Sequence, residues 1–264
     1  MTASPWQRRV QRAEELIAQH AFAAEILGFY IQVARFQGES HLQLSRVLQS
    51  AGGAFDRELR AGELDELTPR FGSLLSLAES RGPQGLAQVS RQLKASGQPQ
   101  WRNLLNSAWL GHSASDAGHL LAAALLQPFA ELQRARAPRH AAQQAYAVCP
   151  VCNRRPGFGA MRQMGEGAAR SLVCGFCLTE WDFRRIVCPA CGEENERKLA
   201  VFSASEFDYI RVECCDTCKT YIKTIDLTKN GRAEPLVDEL ASAPLDLWAT
   251  ERGYAKLKKN MLGM

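Results

Sequence analysis

Apolar positions in the first half of the chain recur every three to four residues. Trp6, Val10, Ala13, Leu16 and Ile17 fall on one face and leave arginines and glutamates on the other, which predicts an amphipathic helix. A second helix is expected over 21–36, on Ile26, Leu27, Tyr30, Ile31, Val33 and Ala34, with Gly38 ending it. A third is expected over 41–49, stopping before Gly52-Gly53. Pro69 and Pro83 stand where first-turn prolines stand and open helices near 68–80 and 83–95. Pro99 opens another that ends at Gly111. Ser115 or Asp116 caps the next. Its run 120–126 is apolar on all sides, as a central buried helix requires, and Pro128 is expected to kink or end it.

The texture changes across the polar, proline-bearing boundary near 135–147. Short β-rich segments follow at 171–173, 186–187, 199–202, 209–212 and 221–225. From 236 to about 260 the pattern returns to helix, interrupted at Pro244.

Cysteine usage changes at the same boundary. The first 148 residues have none, and eight of the nine cysteines form CxxC pairs: Cys149/Cys152, Cys174/Cys177, Cys188/Cys191 and Cys215/Cys218. A CxxC turn presents two thiolates, and two such turns complete a tetrahedral four-sulfur site. The pairs repeat. Cys149-Pro150-Val151-Cys152 matches Cys188-Pro189-Ala190-Cys191, and the stretch from Arg170 to Cys177 matches the stretch from Arg211 to Cys218. Each copy reads knuckle, strand, strand, knuckle. A self-contained repeat favours sequential sites, Cys149/Cys152/Cys174/Cys177 and Cys188/Cys191/Cys215/Cys218. The rival is a cross-brace in which the first and third pairs share a metal. Cys214 aligns with Val173 and reads as a small buried apolar residue, the alternatives being a spare ligand or a reactive thiol.

Net charge is only +4, which demands neither nucleic acid nor an anionic membrane. No secretory signal precedes the charged stretch 7–15, and no apolar run is long enough to span a bilayer, so a cytoplasmic protein without membrane insertion is expected. Clustered thiols in a reducing compartment read as metal ligands rather than disulfides. A dithiol redox motif would need a CxxC opening a helix in a βαβ setting, which is not the pattern. Zinc and iron both accept four sulfurs, and the ligand set does not choose between them. His20, His41, His112, His119 and His140 have no partnered acid or nucleophile motif, and no phosphate loop, GxSxG or HExxH is present. Arg154-Arg155 and Arg184-Arg185 flank the ribbons. With nearby aromatics they support a second reading, a zinc-ribbon nucleic-acid-binding module.

CPVC at 149–152, VCGFCLTEW ending at Trp181, CPACG at 188–192, RVECCDTCKTYIKTID at 211–226 and LASAPLDLWATERGY at 240–254 resemble the FdhE family of formate dehydrogenase accessory proteins. The resemblance implies a non-enzymatic cytoplasmic maturation factor that contacts the catalytic subunit of formate dehydrogenase. It also implies rubredoxin-like sites, two metal ions per chain, with iron favoured over zinc. The expected fold class is α+β. An all-α domain, 1–140, precedes two tandem rubredoxin-like units, 147–184 and 185–230, and a helical tail, 231–264.

Overall fold

The computed structural model describes residues 4–47, 55, 57–111, 116–137, 147–261 and 263. They divide into two units, the first drawn from 4–17, 24–137, 261 and 263, the second from 18–23 and 147–260. The first unit is helical. In α1 (Pro5–Gln19) the face with Trp6, Ala13 and Leu16 is buried, as the spacing requires. Arg9 is buried beside it, and its guanidinium meets both carboxylate oxygens of Glu131 at 3.2 and 3.3 Å.

Gly38 does not end the second helix. α2 runs unbroken over Ala24–Val47, so the second and third expected helices are one. Residues 48 and 49 lie outside the described residues. A Cβ at position 38 would lie 3.1 Å from Cβ of Trp6, so this glycine makes room for α1. α3 (Ala61–Arg81) starts eight residues before Pro69 because Glu63 supplies the start signal. Its carboxylate accepts the Arg60 backbone N–H at 2.7 Å and the Arg57 guanidinium at 2.8 Å. α4 (Gln84–Leu110) breaks at Gly97, where φ is 79°, and the two helices expected around Pro99 lie on either side of this kink.

In α5 (Ala117–Arg136) Asp116 is the cap, accepting the His119 N–H at 2.9 Å; Ser115, His112 and His140 lie outside the described residues. Pro128 sits inside α5 without ending it. A proline there cannot donate to the carbonyl of Ala124, four residues back. Gln37 of α2 fills that role, its Nε2 donating to the Ala124 carbonyl at 2.6 Å.

The second unit is built on a 7-stranded sheet. The strands are β1 (Phe158–Met164), β2 (Gly167–Val173), β3 (Glu180–Asp182), β4 (Leu199–Phe202), β5 (Ile210–Cys215), β6 (Thr220–Asp226) and β7 (Ala255–Lys256). Their order is β3-β2-β1-β6-β5-β4, with β7 also on β6. Each cysteine repeat contributes three antiparallel strands, and the parallel pairing of β1 with β6 joins the two triplets. At this seam a Cβ on Gly159 would collide with Thr224, 3.1 Å from its Cβ, so only glycine admits the close approach. Residues 186–187 form a turn leading to the third knuckle rather than a strand.

One face of the sheet carries Phe158, Ala160, Ile210, Val212, Tyr221 and Ile225. Leu236 of α6 (Pro235–Ala241) and Leu245 and Ala249 of α7 (Ala243–Glu251) cover it. The helices part at Ser242 with Pro244 in the first turn of α7, but helix stops at Glu251, and in the rest of the expected helical tail only Ala255–Lys256 is regular, pairing with β6 as β7.

Beneath these helices Lys223 is fully buried. Its ammonium donates to the Glu239 carbonyl at 2.6 Å, Ser242 Oγ at 3.0 Å and Asp246 Oδ2 at 2.7 Å. Tyr221 and Tyr209 donate to Asp246 and Asp238, each at 2.8 Å. Burial alone would raise the Glu239 carboxyl. The charges of Lys223 and Lys256 reverse this and hold it at about 2. A carboxyl depressed from 4.5 adds stability above that pH and loses it as pH falls toward 2. Replacing Lys223 by Met leaves two buried carboxylates, Asp246 and Glu239, to one ammonium, that of Lys256, so one buried negative charge is uncompensated. The expected loss is about 3–5 kcal/mol in denaturant unfolding. An unchanged midpoint would show that the network does not hold the helices to the sheet.

Candidate metal centres

Each CxxC pair is a tight turn whose next residue takes a left-handed backbone: Asn153, Leu178, Gly192 and Lys219, with φ of 57°, 55°, 78° and 53°. That conformation costs most residues about 1–2 kcal/mol, so the turns are held by other contacts. The N–H groups of Asn153, Leu178 and Gly192 reach back to the carbonyls of Cys149, Cys174 and Cys188 at 2.9, 3.1 and 2.9 Å. Further N–H groups, of Phe176 and Ala190, point at Sγ of Cys174 and Cys188, each at 3.4 Å. In both repeats a threonine hydroxyl lies against the last sulfur: Thr179 is 3.1 Å from Cys177 Sγ and Thr220 is 3.0 Å from Cys218 Sγ. Donors aimed at sulfur favour the thiolate.

These turns bring the eight sulfurs into two groups, Cys149/Cys152/Cys174/Cys177 and Cys188/Cys191/Cys215/Cys218, each within 4.8 Å of one another. The grouping is sequential, not cross-braced. Sulfur separations are 3.4 Å for Cys152–Cys174, 3.6 Å for Cys149–Cys177, and 3.7 Å for both Cys188–Cys218 and Cys191–Cys215. A tetrahedron with metal–sulfur bonds of about 2.3 Å has an edge of roughly 3.8 Å. Both groups therefore fit one ion each, bound by four sulfurs.

Crowding divides the protons unequally. Contact with Cys149 pushes the Cys152 and Cys174 thiols up, and contact with Cys152 pushes Cys149 down. A divalent cation would replace the shared protons. In the second group burial would raise Cys218, but the Thr220 hydroxyl and amide bring it to about 7. The two groups differ in exposure. Only Cys152 is partly open in the first, whereas Cys191 is exposed and Cys218 partly so in the second.

Cys214 joins neither group. It is buried in the apolar core with its repeat counterpart Val173, and burial pushes its thiol to about 12. Among the described residues no histidine joins a metal-capable group. Arg154 lies 3.4 Å from the centre of the Phe176 ring, and Arg184 pairs with Glu194. Of the four left-handed positions only Gly192 and Asn153 carry a residue type that signals it. Thr179 and Thr220 each stand two residues after the last cysteine of their group.

No helix among the described residues is long and apolar enough to cross a membrane. The family descriptions "FdhE, central domain" and "FdhE, C-terminal domain" match residues 148–185 and 186–262, dividing between the two cysteine groups. A protein named "Protein FdhE homolog" from Aquifex aeolicus is 41% identical over 44% of this chain and 41% of its own length. One from Pectobacterium atrosepticum is 28% identical over 97% of this chain and 86% of its own. The matches span about two fifths of the first curated relatives, 41% and 40%. The crystal structure of the FdhE protein from Pseudomonas aeruginosa shares the fold, with a TM-score of 0.70 over 99% of this chain and 97% of that one, at 22% identity.

Elemental analysis of anaerobically purified protein is expected to find two metal ions per chain. Cys174→Ser should remove one and Cys214→Ala none. A chelator should empty the second site first, because Cys191 is exposed. An ion lost from C214A, or both lost together, would contradict this assignment.

Proposed function

We propose that this chain, whose residues 148–262 match the FdhE family descriptions, is a cytoplasmic accessory factor for formate dehydrogenase that binds the immature catalytic subunit. The observation that carries this reading is the pair of four-cysteine groups within 148–262, the stretch that matches the family. Two ions per chain, each held by Cys149, Cys152, Cys174 and Cys177 or by Cys188, Cys191, Cys215 and Cys218, would leave no open position for substrate. A non-enzymatic role fits such a closed set better than Lewis-acid hydrolysis.

Iron in such a site supplies one-electron redox chemistry, and zinc supplies none. The protein's own part is to stabilise thiolates, through the Phe176 and Ala190 N–H groups and the Thr179 and Thr220 hydroxyls. The exposed Cys191 gives the second site an opening to solvent or a partner. The nucleic-acid reading has less support: Arg154 lies over Phe176 and Arg184 pairs with Glu194, rather than forming a basic stripe with Arg155 and Arg185.

Anaerobic affinity capture of the tagged chain from its own cells should recover the formate dehydrogenase catalytic subunit. Nucleic acid recovered without that subunit would overturn the proposal. A redox role predicts bound iron that cycles reversibly by one electron. Zinc at both sites, or iron that cannot be cycled, would remove that part alone.

A further inference from the structure

The two four-cysteine groups have the same ligands and the same kind of turns, yet the charge beside them changes sign. The fifth residue after the first cysteine is Arg154 in the first group and Glu193 in the second. The fold makes these positions equivalent. The carbonyl of Arg154 accepts the Cys149 N–H at 2.8 Å, and the carbonyl of Glu193 accepts the Cys188 N–H at 2.9 Å. Their side chains also reach equivalent places. The Arg154 guanidinium lies 3.4 Å from the centre of the Phe176 ring, and the Glu193 carboxylate accepts the Thr217 hydroxyl. Phe176 and Thr217 each stand immediately before the last cysteine of their group. In both repeats this side chain therefore crosses from the first knuckle to the second, with a positive charge at one group and a negative charge at the other.

Neighbouring charges leave the inversion in place. The N–H groups of Glu194 and Asn195 fix the Glu193 carboxylate, donating to Oε1 at 3.1 and 3.0 Å. Lys198 comes only within 3.7 Å of Oε2, beyond hydrogen-bond reach, and its side chain is 53% exposed, so it screens Glu193 weakly. Lys219, in the last knuckle, is taken by Asp216. The following positions repeat the inversion, Arg155 against Glu194, and Glu194 is paired with Arg184. A divalent ion among four thiolates leaves an excess of negative charge, and an empty group relieves that excess by taking up protons. A cation held beside the group favours the loaded state, and an anion favours the empty one.

We propose that Arg154 and Glu193 set the two centres apart, Arg154 tightening the hold of the first group on its cation and Glu193 loosening that of the second, so that two identical ligand sets hold one metal with unequal affinity. The inference rests on one cation at each group. It depends neither on iron nor on the accessory-factor reading.

The test uses the full chain loaded with cadmium-113, whose NMR resonances report each group separately and are assigned through coupling to the cysteine β-protons. A chelator is titrated into the parent chain, Arg154→Gln, Arg154→Lys and Glu193→Gln. Glutamine at 193 still accepts the Thr217 hydroxyl, so that variant removes the charge and keeps the hydrogen bond. R154Q should release cadmium from the first group at a chelator concentration lower by at least about threefold, with the second group unchanged. R154K, which keeps the charge, should hold cadmium as the parent does. E193Q should need at least about threefold more chelator at the second group, with the first unchanged. Three outcomes would overturn the proposal: unchanged release in R154Q or in E193Q, equal effects on both groups, or a loss in R154K as large as in R154Q, which would assign Arg154 to packing on Phe176 alone. Absence of cadmium from either group would overturn it together with the metal assignment. Bound cadmium indifferent to the charge changes would overturn this inference alone.

Discussion

Four thiolates held within 4.8 Å of one another cannot all carry charge unless a cation sits among them. The architecture of the second unit follows from this constraint. Each pair of sulfurs is presented by a turn with a left-handed residue behind it, and the second turn of each group joins two strands directly, β2 to β3 and β5 to β6. Each cysteine group carries three strands. The parallel seam of β1 and β6, possible because position 159 is glycine, merges two triplets into a sheet wide enough for α6 and α7 to cover.

The two faces of that sheet differ in make-up. The apolar face is locked by a buried charge network around Lys223, whose partners Glu239 and Asp246 come from the covering helices. The opposite face carries Arg170, Arg211 and Glu213 together with buried Met161, Leu172 and Ile222. The first group is enclosed except at Cys152, whereas the second is open at Cys191 and partly at Cys218.

The sites were legible because CxxC spacing is local and the repeat is nearly self-describing. Helix α1 was legible for the same reason: its period is written in consecutive turns. What the sequence hid depends on distant partners. Pro128 looks like a terminator until Gln37, from another helix, donates to the carbonyl the proline abandons. Gly38 looks like a stop until Trp6 is packed on it. Strand β1, Phe-Gly-Ala-Met-Arg-Gln-Met, lacks β-branched residues and forms because β2 and β6 flank it. The Ile186-Val187 pair has strand composition but belongs to a turn fixed by the knuckle that follows.

The central claim is that cations bound by the eight cysteines hold the sheet together. Amide hydrogen exchange of the reduced full chain, before and after stripping with a chelator, tests it most directly. The account predicts that amides of β1, β2, β4, β5 and β6 lose protection together on stripping and regain it when metal is returned, while α3 and α5 keep theirs. Unchanged protection across the sheet in the metal-free, reduced protein would contradict it.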